Sequence, residues 1–434
     1  MKRTLTTQIN KEIGKEVTLF GWIHKLRKMG GISFLVLRDR NGLAQAVIDG
    51  GEENDKLKEL TTETVVKITG KVVKEERAPH GAELHDCKIE IISPVKEDIS
   101  IAINKKEMNV NIDTLLDNRP ITLRNPKQRA IFEVQSAITD EFRKFLEKRD
   151  FTEINTPKIV SSGLETGGAE MFTIDYFKKK AYLSQSPQMY KQIMVGVYER
   201  VFETAYIYRA EKHNTSRHIN EYVSLDLEMG FIDSYEEIMD LEAEFLGGLL
   251  KKLEENYSEE FGMLSSEIPV IKKGIPRMKL SEAQEILEKE YGEKCVGEPD
   301  LEPKHEKQIC EYTAKQLGSE FVFITHYPSK KRPFYTMDDP KIPKETLSFD
   351  LLFRGLEITT GGQRIHLYEE YLEKMKSRGM NTKDFEDYLS VFKYGMPPHG
   401  GLAIGLERIT ARLLNLDNIR EASLFPRDIN RLRP

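Results

Sequence analysis

The segment YRAEKHNTSRHINEYVSLDLEMG, which begins at Tyr208, carries charged and aromatic residues at spacings that could bind a nucleotide. Arg209 and Glu211 are two positions apart, so on a strand they lie on the same face. A polar loop follows, and a second strand begins near Tyr222. An arginine can hold a phosphate through two hydrogen bonds, a glutamate can accept one from an exocyclic amine, and a tyrosine can stack on a base. The pattern predicts a triphosphate-binding hairpin without a P-loop; a surface hairpin with a solvated charged tip is the alternative.

A glycine-rich strand that runs directly into a helix is the second candidate, in the segment YGMPPHGGLAIGLERITARLL. Gly400, Gly401 and Gly405 would let a ligand lie flat against the backbone. Arg408 falls in the first turn of the helix, where a cation opposes the helix dipole unless an anion binds there. A glycine-tolerant bend is the alternative. The sequence contains neither a GxxxxGK[ST] motif nor a strand–GxGxxG–helix unit, which argues against P-loop and Rossmann nucleotide binding.

A third candidate is the segment FDLLFRGLEITTGGQR, in which charges interrupt an apolar stretch. Its charged residues are Asp350, Arg354, Glu357 and Arg364. A buried strand would avoid such residues unless each had a partner or a ligand. From the residues alone, Asp350 and Arg354 can either pair with each other or contact a ligand.

Bulk composition limits the possible classes of protein. The 434 residues exceed one ordinary core, so two or three domains are expected. A net charge of -6 argues against a general polyanion binder but allows a localised basic face. The isolated cysteines indicate neither a disulfide framework nor a cysteine zinc site. We find no apolar run long enough to span a bilayer and no signal-peptide core in the first residues, so we expect a cytoplasmic protein without a membrane partner.

The chain divides by pattern into three parts. Residues 1–103 contain five short β-rich runs with a helix predicted at Glu52–Thr62, an order that suggests an OB-fold barrel, although any small β-barrel fits the strand count. Residues 104–128 are rich in Asn, Pro and Arg and are predicted to be a hinge. Residues 129–434 mix strands and helices, and within them 257–320 is predicted to be peripheral. This third part opens with a helix whose apolar residues recur every three or four positions: Ile131, Val134, Ile138, Phe142, Phe145 and Leu146.

The order of these features resembles motifs 1, 2 and 3 of the class II aminoacyl-tRNA synthetases: a long helix followed by Pro157, then the hairpin with Arg209, then the glycine-rich strand with Arg408. Four further segments, LSQSPQMYKQ, RGLEITTGGQR, YPSKKRPFYTM and NIREASLFPRDINRL, closely resemble archaeal-type aspartyl-tRNA synthetases. The resemblance covers nearly the whole chain. It implies an α+β fold, with an N-terminal OB-fold barrel and a catalytic domain built on an antiparallel β-sheet flanked by helices.

The resemblance also implies a reaction, the ATP-dependent attachment of L-aspartate to tRNA(Asp) through an aspartyl-adenylate. Positioning and charge neutralisation carry most of the catalysis in such an attack on a phosphate. It further implies Mg²⁺ as the cofactor and a homodimer formed through motif 1. The implied contacts of ATP are Arg209 for the α-phosphate, Glu211 and Tyr222 for the adenine, Arg217, His218 and Arg408 for the β- and γ-phosphates, and Glu357; Arg209 and Arg408 are the implied catalytic residues. The implied ligands of Mg²⁺ are Glu357 and Thr360, and the implied floor of the site is Gly361 and Gly362.

Lys191 and Arg364 are implied by the resemblance to meet the side-chain carboxylate of aspartate. Two desolvated cations facing a neutral amide would leave charge unpaired at a cost of roughly 3–5 kcal/mol, which favours aspartate over asparagine. A structural salt bridge is the alternative for Lys191. Gln188 and Asp226 are implied to receive the substrate ammonium. The complete implied aspartate set is Glu165, Gln188, Lys191, Arg209, Asp226, Thr360 and Arg364.

Two positions depart from the family pattern. The acid of the family's mobile loop usually stands directly before a Gly-Gly pair, whereas Thr166 here separates Glu165 from Gly167. The ammonium contact of Glu165 therefore depends on the loop absorbing one residue. Ala403 stands where many relatives carry glycine.

In the resemblance, the barrel binds the anticodon, because single-stranded bases are recognised by stacking and by hydrogen bonds to their edges. Phe34 and Gln45 match the positions that contact the central uridine, with Arg27 and Glu83 as candidates for the flanking bases. A place in the barrel core is the alternative for Phe34. Some relatives attach aspartate to both tRNA(Asp) and tRNA(Asn), which is a relaxed reading of the anticodon. Pro79 stands where such enzymes often carry proline, which favours charging of both tRNAs by this chain.

Other functions remain open from the sequence. Asparagine could be the substrate, or the chain could be a paralogue that makes asparagine from an aspartyl-adenylate; the barrel argues against such a paralogue. A non-catalytic RNA-binding relative is an alternative of another class. It would have no need of the charged set Arg209, Glu211, Glu357, Arg364 and Arg408.

Overall fold

The computed structural model describes residues 3–161, 170–212 and 215–433. The chain forms two compact units, Met1–Asn109 and Val110–Pro434. Because the boundary falls after residue 109, most of the segment predicted as a hinge, 104–128, lies in the second unit. There the predicted hinge is largely helical, since it forms two short helices and the first residues of a long one.

The first unit is a closed five-stranded barrel in the order β1-β2-β3-β5-β4. Its elements are β1 (Glu16–Met29), β2 (Ile32–Arg38), β3 (Leu43–Asp49), α1 (Gly51–Lys56), β4 (Val65–Lys74) and β5 (Ala82–Ser93). Five strands with a helix between the third and the fourth confirm the sequence prediction, although the helix is shorter than expected.

Alternation of side chains along β2 builds the barrel. Leu35 and Leu37 point into the core, whereas Phe34 and Val36 lie on the outer face and are half-exposed. The prediction that places Phe34 outside the core therefore agrees with its position on the strand.

The second unit contains an eight-stranded sheet in the order β12-β13-β16-β17-β18-β11-β10-β6, with a three-stranded sheet, β7-β9-β8, and the pair β14-β15 beside it. Neighbouring strands of the large sheet are antiparallel except for the pair at each edge. The strands are β6 (Thr152–Glu153), β7 (Ile159–Val160), β8 (Thr173–Tyr176), β9 (Lys179–Leu183), β10 (Arg200–Tyr208), β11 (Glu221–Gly230), β12 (Arg277–Lys279), β13 (Phe321–Thr325), β14 (Asp338–Asp339), β15 (Ile342–Thr346), β16 (Ser348–Phe353), β17 (Leu356–Arg364) and β18 (His399–Gly405).

Helices flank this sheet, and the long helix α4 forms part of its main core. Asn125 caps α4 with its side chain, Pro126 is the first helical residue, and the predicted apolar face is buried. None of the helices in the described ranges is both long and apolar enough to cross a membrane. The helices are α2 (Ile112–Asp117), α3 (Arg119–Thr122), α4 (Pro126–Glu147), α5 (Gln188–Tyr198), α6 (Glu236–Asn256), α7 (Ser258–Leu264), α8 (Leu280–Tyr291), α9 (Pro303–Tyr312), α10 (Tyr368–Ser377), α11 (Glu386–Ser390) and α12 (Leu406–Leu413).

The segment 257–320 is not wholly peripheral, contrary to the sequence expectation. Its helix α9 packs against β16 and β17 at the centre of the large sheet. The charged residues of the segment concealed this contact, because the buried side of α9 includes His305 and Glu306 beside Ile309 and Cys310.

Glu242 on α6 is a carboxyl group enclosed by the main core. Its side chain lies beside Phe142 and Leu227, and its residue is 1% exposed. Thr359 Oγ1 donates a hydrogen bond of 2.6 Å to Oε1, and Oε2 accepts none from the described residues. Burial raises the pKa of Glu242 to about 8, although the hydrogen bond from Thr359 opposes this rise. The group is therefore protonated at pH 7.

The substitution Glu242→Gln should raise the free energy of unfolding by about 3 kcal/mol at pH 7, because folding no longer has to bind a proton. The unfolded carboxyl titrates near 4.5. The gain should therefore vanish at pH 4, increase as the pH rises, and level off above about pH 8. Urea denaturation at pH 4, 7 and 8.5 measures it, with Glu254→Gln on the exposed side of α6 as the control. A gain independent of pH would contradict the assignment.

Candidate active site

Part of the predicted active-site set lies on one face of the large sheet, on the neighbouring strands β11, β18 and β17, and its other described members lie on α5, on α12 and in the connection between β10 and β11. Asp226 on β11 pairs with Ala403 on β18, which in turn pairs with Thr360 on β17. Glu228 pairs with Gly401 in the same way. Since alternate residues share a face, the small residues of β18 form a floor between two walls that carry the charges.

The glycines divide between the two faces of the sheet, which corrects two predictions. A Cβ on Gly401 would lie 2.1 Å from Leu227 O and 2.3 Å from Glu228 Oε2, so this glycine belongs to the site floor. A Cβ on Gly361 would instead strike the Phe349 ring at 2.3 Å, on the core side. Gly400 also faces the core, where a Cβ would strike Ile238 Cδ1 at 2.4 Å, so neither Gly361 nor Gly400 lies beneath a ligand.

One cavity gathers the side chains that the sequence predicts for ATP, together with Thr360, which it predicts for Mg²⁺ and aspartate. Its walls include Ser224 and Ala403, and Ile419 closes one side. The predicted residues that line it are Arg209, Glu211, Arg217, His218, Tyr222, Glu357, Thr360 and Arg408. Spacing and the family resemblance together thus led to residues that the fold brings close to one another, from the connection between β10 and β11, from β11 and β17, and from α12.

Cations and an aromatic ring face one another across this cavity. The Arg209 guanidinium lies over the Tyr222 ring at 5.5 Å, and its Nη1 is 3.9 Å from Glu211 Oε1. From the opposite wall, Arg408 Nη1 donates to Glu357 O at 2.9 Å and to Glu357 Oε1 at 3.2 Å. The cavity can therefore hold an anion between two arginines and a planar group against Tyr222.

Glu306 on α9 is a site residue that the sequence argument missed. It forms an ion pair with Arg217 and accepts a hydrogen bond of 3.1 Å from the backbone N–H of Glu357. Burial raises the pKa of Glu306 to about 7 against the opposing charge of Arg217. No local pattern could have found it, since the contact joins positions 89 residues apart.

Asp350 and Arg354 do not pair with each other, which removes one of the two alternatives left open. Asp350 Oδ2 lies 2.7 Å from Arg332 Nη2, and Arg354 Nε donates to Glu320 Oε1 at 2.8 Å. Burial raises the pKa of Asp350 to about 6; Arg332 opposes this rise, and nearby Glu357 adds to it. The two carboxylates thus lie close enough to repel each other.

A divalent cation would relieve that repulsion, and the groups present suit one. Thr360 Oγ1 donates to Glu357 Oε1 at 3.2 Å, and the buried Asp350 Oδ1 accepts no hydrogen bond from the described residues. These donors are all oxygens, which Mg²⁺ prefers. Over the same described ranges, no group of three or more His, Cys, Asp or Glu residues is arranged to hold a metal by itself.

A second cluster lies along the same sheet face, where two buried cations share Glu228. Arg364 Nε donates to Glu228 Oε1 at 2.9 Å, and Lys191 Nζ is 3.4 Å from Glu228 Oε2. Gln188 joins the cluster, since its amide donates to Glu228 Oε2 at 3.2 Å. Glu228 is fully buried and was not predicted. Its place two residues after Asp226 on β11 was the available signal, because the two side chains must share a face.

Lys191 is engaged with the protein itself. Its ammonium group has three hydrogens. They have acceptors in Asp226 Oδ1 at 2.9 Å, Leu402 O at 3.1 Å and Leu227 O at 3.3 Å. The structural salt bridge that was the alternative for Lys191 is therefore present.

Two other atoms of the cluster remain available. Nη1 of Arg364 takes part in none of that residue's hydrogen bonds within the described chain. Asp226 Oδ2 is buried and has no hydrogen-bond partner there. A ligand with both an anionic and an ammonium group would satisfy these atoms together.

The charges of this cluster balance. Lys191 and Arg364 offset Asp226 and Glu228, and burial lowers the pKa of His399 to about 4, so that histidine is neutral at pH 7. Burial by itself would raise the pKa of Glu228, but the charges of Arg364 and Lys191 outweigh it and keep the pKa below its usual value. We name the four charged residues the charge tetrad: Lys191, Asp226, Glu228 and Arg364.

A buried ring of hydrogen bonds supports the tetrad from behind. His399 Nδ1 faces Pro397 O at 2.9 Å and so carries the proton, which leaves Nε2 to accept from the Gln192 amide at 2.9 Å. The same amide donates to Tyr371 Oη at 3.2 Å, and Tyr388 donates to Gln192 Oε1 at 3.0 Å. Because the hydroxyl hydrogen of Tyr388 is already used, Tyr371 must donate to Tyr388 Oη, at 2.8 Å. The donor and the acceptor of each hydrogen bond in the ring are therefore fixed.

The outer face of the barrel collects the predicted anticodon residues. Arg27 on β1 lies opposite Phe34 on β2, and Gln45 on β3 lies opposite Glu83 on β5. Gln45 donates to Glu83 Oε2 at 2.8 Å. Pro79 begins the 3-10 turn Pro79–Gly81, which packs against β3. Neighbouring strands of the barrel thus present a cation, an aromatic ring and hydrogen-bonding groups on one surface.

One predicted site residue of the catalytic domain, Glu165, lies outside the described residues.

Comparisons with known proteins agree with this architecture. The family described as tRNA synthetases class II (D, K and N) matches residues 111–429, and an OB-fold nucleic acid binding domain matches residues 17–92. The chain is similar to an aspartate–tRNA(Asp/Asn) ligase of Thermus thermophilus, with 48% identity and full coverage of both chains. It is 41% identical to an aspartate–tRNA(Asp) ligase of Pyrococcus furiosus, with 99% of each chain covered.

Solved structures of related proteins have the same fold. An asparaginyl-tRNA synthetase from Pyrococcus horikoshii, in complex with asparaginyl-adenylate, matches with a TM-score of 0.92 and 33% identity over all of both chains. A putative aspartyl-tRNA synthetase from Leishmania major matches with a TM-score of 0.90 and 29% identity, over all of this chain and 95% of the other. Proteins named for aspartate and proteins named for asparagine therefore share this backbone fold. The choice between the two amino acids must depend on the side chains of the site.

Replacing the shared acid should expose the charge balance. Glu228→Gln leaves Lys191 and Arg364 opposed only by Asp226, so we expect the free energy of unfolding to fall by about 3–5 kcal/mol. Added succinate should recover part of that loss, since an anion would take the place of the missing carboxylate. Thermal unfolding with and without succinate measures both effects, and Glu221→Gln at the start of β11 is the control. No loss of stability would contradict the shared pairing.

Proposed function

This chain belongs to the class II tRNA synthetases for aspartate, lysine and asparagine (D, K and N), and we propose that within this family it is an aspartate–tRNA ligase. The observation that carries the proposal is the charge tetrad with its two available atoms, Arg364 Nη1 and Asp226 Oδ2. An amino acid with a second carboxylate would fit them. Its ammonium would meet Asp226, and its side-chain carboxylate would meet Arg364.

The first step is the activation of aspartate by ATP. An oxygen of the α-carboxylate attacks the α-phosphorus, a new P–O bond forms, and pyrophosphate leaves with the electrons of the broken bond. Arg209 holds the α-phosphate, while Arg217, His218 and Arg408 neutralise the β- and γ-phosphates. Tyr222 and Glu211 hold the adenine.

Mg²⁺, which this family generally uses with ATP, would add positive charge between the phosphates when bound. Glu357 and Thr360 would hold it, and the orphaned Oδ1 of Asp350 makes that residue a further candidate. In the second step, a hydroxyl of the terminal adenosine of tRNA attacks the activated carbonyl carbon, and AMP leaves. Tight positioning of both reactants supplies most of the rate gain.

Selection of aspartate would rest on net charge as much as on direct contact. Lys191 already has acceptors for all its hydrogens, so its main contribution is to offset Asp226 and Glu228. Without that charge the pocket would carry a net negative charge and repel a second carboxylate. Asparagine would leave Arg364 Nη1 without an anionic partner, and this loss disfavours it.

The complete enzyme would act on tRNA as a cytoplasmic homodimer. The OB-fold barrel would bind the anticodon through Phe34, Gln45, Arg27 and Glu83. Motif 1, which includes α4, would form the contact between subunits.

Aspartate-dependent pyrophosphate exchange tests the proposal. The purified chain should exchange pyrophosphate into ATP with aspartate at least 100-fold faster than with asparagine, judged by kcat/KM. Lys191→Met should lower the aspartate value by 100-fold or more and narrow the ratio between the two amino acids, whereas Lys289→Met on the surface should change neither. Because both kcat/KM values are measured on the same preparation, the ratio of the aspartate value to the asparagine value does not depend on the fraction of protein that is folded. No exchange with aspartate would reject the enzyme, and a preference for asparagine would reject the pocket assignment.

Charging of two tRNAs tests the relaxed anticodon reading suggested by Pro79. Purified transcripts of tRNA(Asp) and tRNA(Asn) should both accept aspartate, with kcat/KM values within about tenfold of each other, because their anticodons differ at one base. Replacement of Pro79 by lysine should favour tRNA(Asp). Activity confined to tRNA(Asp) in the unaltered chain would refute relaxed reading while leaving aspartate activation intact.

A further inference from the structure

The β8–β9 hairpin ends in an exposed tip of aromatic and basic residues that the proposed site does not use. The tip consists of Tyr176, Phe177, Lys178, Lys179 and Lys180. Phe177 is 85% exposed and Tyr176 is 46% exposed. The two rings touch edge to face, with centroids 4.9 Å apart, and pack on no buried cluster of the described core.

The backbone of the tip is formed by residues that suit it poorly. Tyr176 pairs with Lys179, so Phe177 and Lys178 are the two residues of the turn, with φ values of 49° and 69°. A tight turn with two positive φ angles is normally made by Asn-Gly. Phe-Lys in this conformation costs on the order of 1–2 kcal/mol per residue. The fold alone therefore gives no reason for this pair of residues.

The lysines of the tip also have no acidic partner. In the described chain, Lys178, Lys179 and Lys180 form no ion pair within 4.0 Å, even though the whole chain has a net charge of -6. Asp175 lies opposite Lys180 across the hairpin without forming such a pair. The result is a small positive surface beside two exposed rings.

The base of the hairpin is attached to the nucleotide cavity. Ala210 N–H donates to Glu170 O at 2.9 Å, and Tyr208 N–H donates to Ser184 O at 3.0 Å, so hydrogen bonds flank Arg209 on both sides. Leu183 N–H donates to Phe172 O at 3.0 Å where the strands begin. Tyr176 lies four positions after Phe172 along an extended strand, which places the tip about 13 Å from the base of the hairpin.

We propose that this tip binds the single-stranded 3′ end of the tRNA substrate, an inference that rests on the proposed function. Unpaired nucleotides offer both of the chemical groups that the tip complements, since bases stack on aromatic rings and phosphates attract lysines. An acidic protein segment would match the lysines but leave Phe177 without a partner. Hydrogen bonds from the base of the hairpin flank Arg209, so the tip belongs to the same part of the fold as the cavity that the RNA end must enter.

A turn replacement separates this role from folding. Phe177→Asn with Lys178→Gly installs the preferred turn residues, so the hairpin should remain folded while losing its exposed ring and one charge. We expect the KM for tRNA in aminoacylation to rise about tenfold, with aspartate-dependent pyrophosphate exchange unchanged. Phe231→Ala, which removes another exposed ring, is the matched control and should alter neither.

Salt dependence tests the lysines independently. Alanine at 178, 179 and 180 should lower the slope of log KM for tRNA against log salt by about 0.7 for each phosphate that a lysine no longer neutralises. Alanine at Lys272 and Lys273, an exposed pair elsewhere, should leave the slope unchanged.

Three results would overturn the inference. These are an unchanged KM and salt slope in the tip variants, a loss of pyrophosphate exchange in them, or their conversion from dimer to monomer on size exclusion, which would assign the tip to a second copy of the chain. Failure of the proposed function looks different, because the unaltered protein would then lack exchange. In that case, tRNA binding measured by filter retention should still weaken in the tip variants if the tip binds RNA.

Discussion

One buried carboxylate, Glu228, organises the charge tetrad on the large sheet of the second unit. It has no exposed surface, and its two oxygens face Arg364 and Lys191. A charge enclosed in this way is stable only if its partners are held in place, because the loss of either would leave the other uncompensated. The residues come from β11, β17 and α5, so these three elements must meet with little freedom. Under the proposed function, aspartate would bind to a group of residues whose charges are already balanced.

The sheet makes this arrangement possible through simple periodicity. Side chains alternate between faces, so β11 and β17 deliver their charged residues to one side while their apolar residues join the core on the other. The strand between them contributes Gly401, Ala403 and Gly405, which leave the space above the backbone open. The same rule explains why Gly400 and Gly361 serve packing instead. The cavity around Arg209 and the charge tetrad therefore share one face of the sheet because these three strands are in register.

Much of this could be predicted from the sequence, and the failures have a common physical cause. The α+β fold, the barrel and the eight predicted residues that line one cavity followed from local pattern and family resemblance, while the roles of those residues stay predictions. Glu306 and the pairing of Asp350 with Arg332 did not, because such contacts join distant positions whose spacing carries no signal. Lys191 was found, but its saturation by Asp226 and two carbonyl groups depends on how α5 packs on β11. Glu228 could have been predicted from the sequence, because it lies two residues after Asp226 on the same strand and must share its face.

The hydrogen-bond ring behind the pocket also restricts how such a protein can diverge. Gln192, Tyr371 and Tyr388 each donate and accept hydrogen bonds in one fixed arrangement, so replacing any one of them would leave a neighbouring polar group without its partner. Because that unpartnered group would be buried, the ring limits which substitutions the wall behind the charge tetrad can accept.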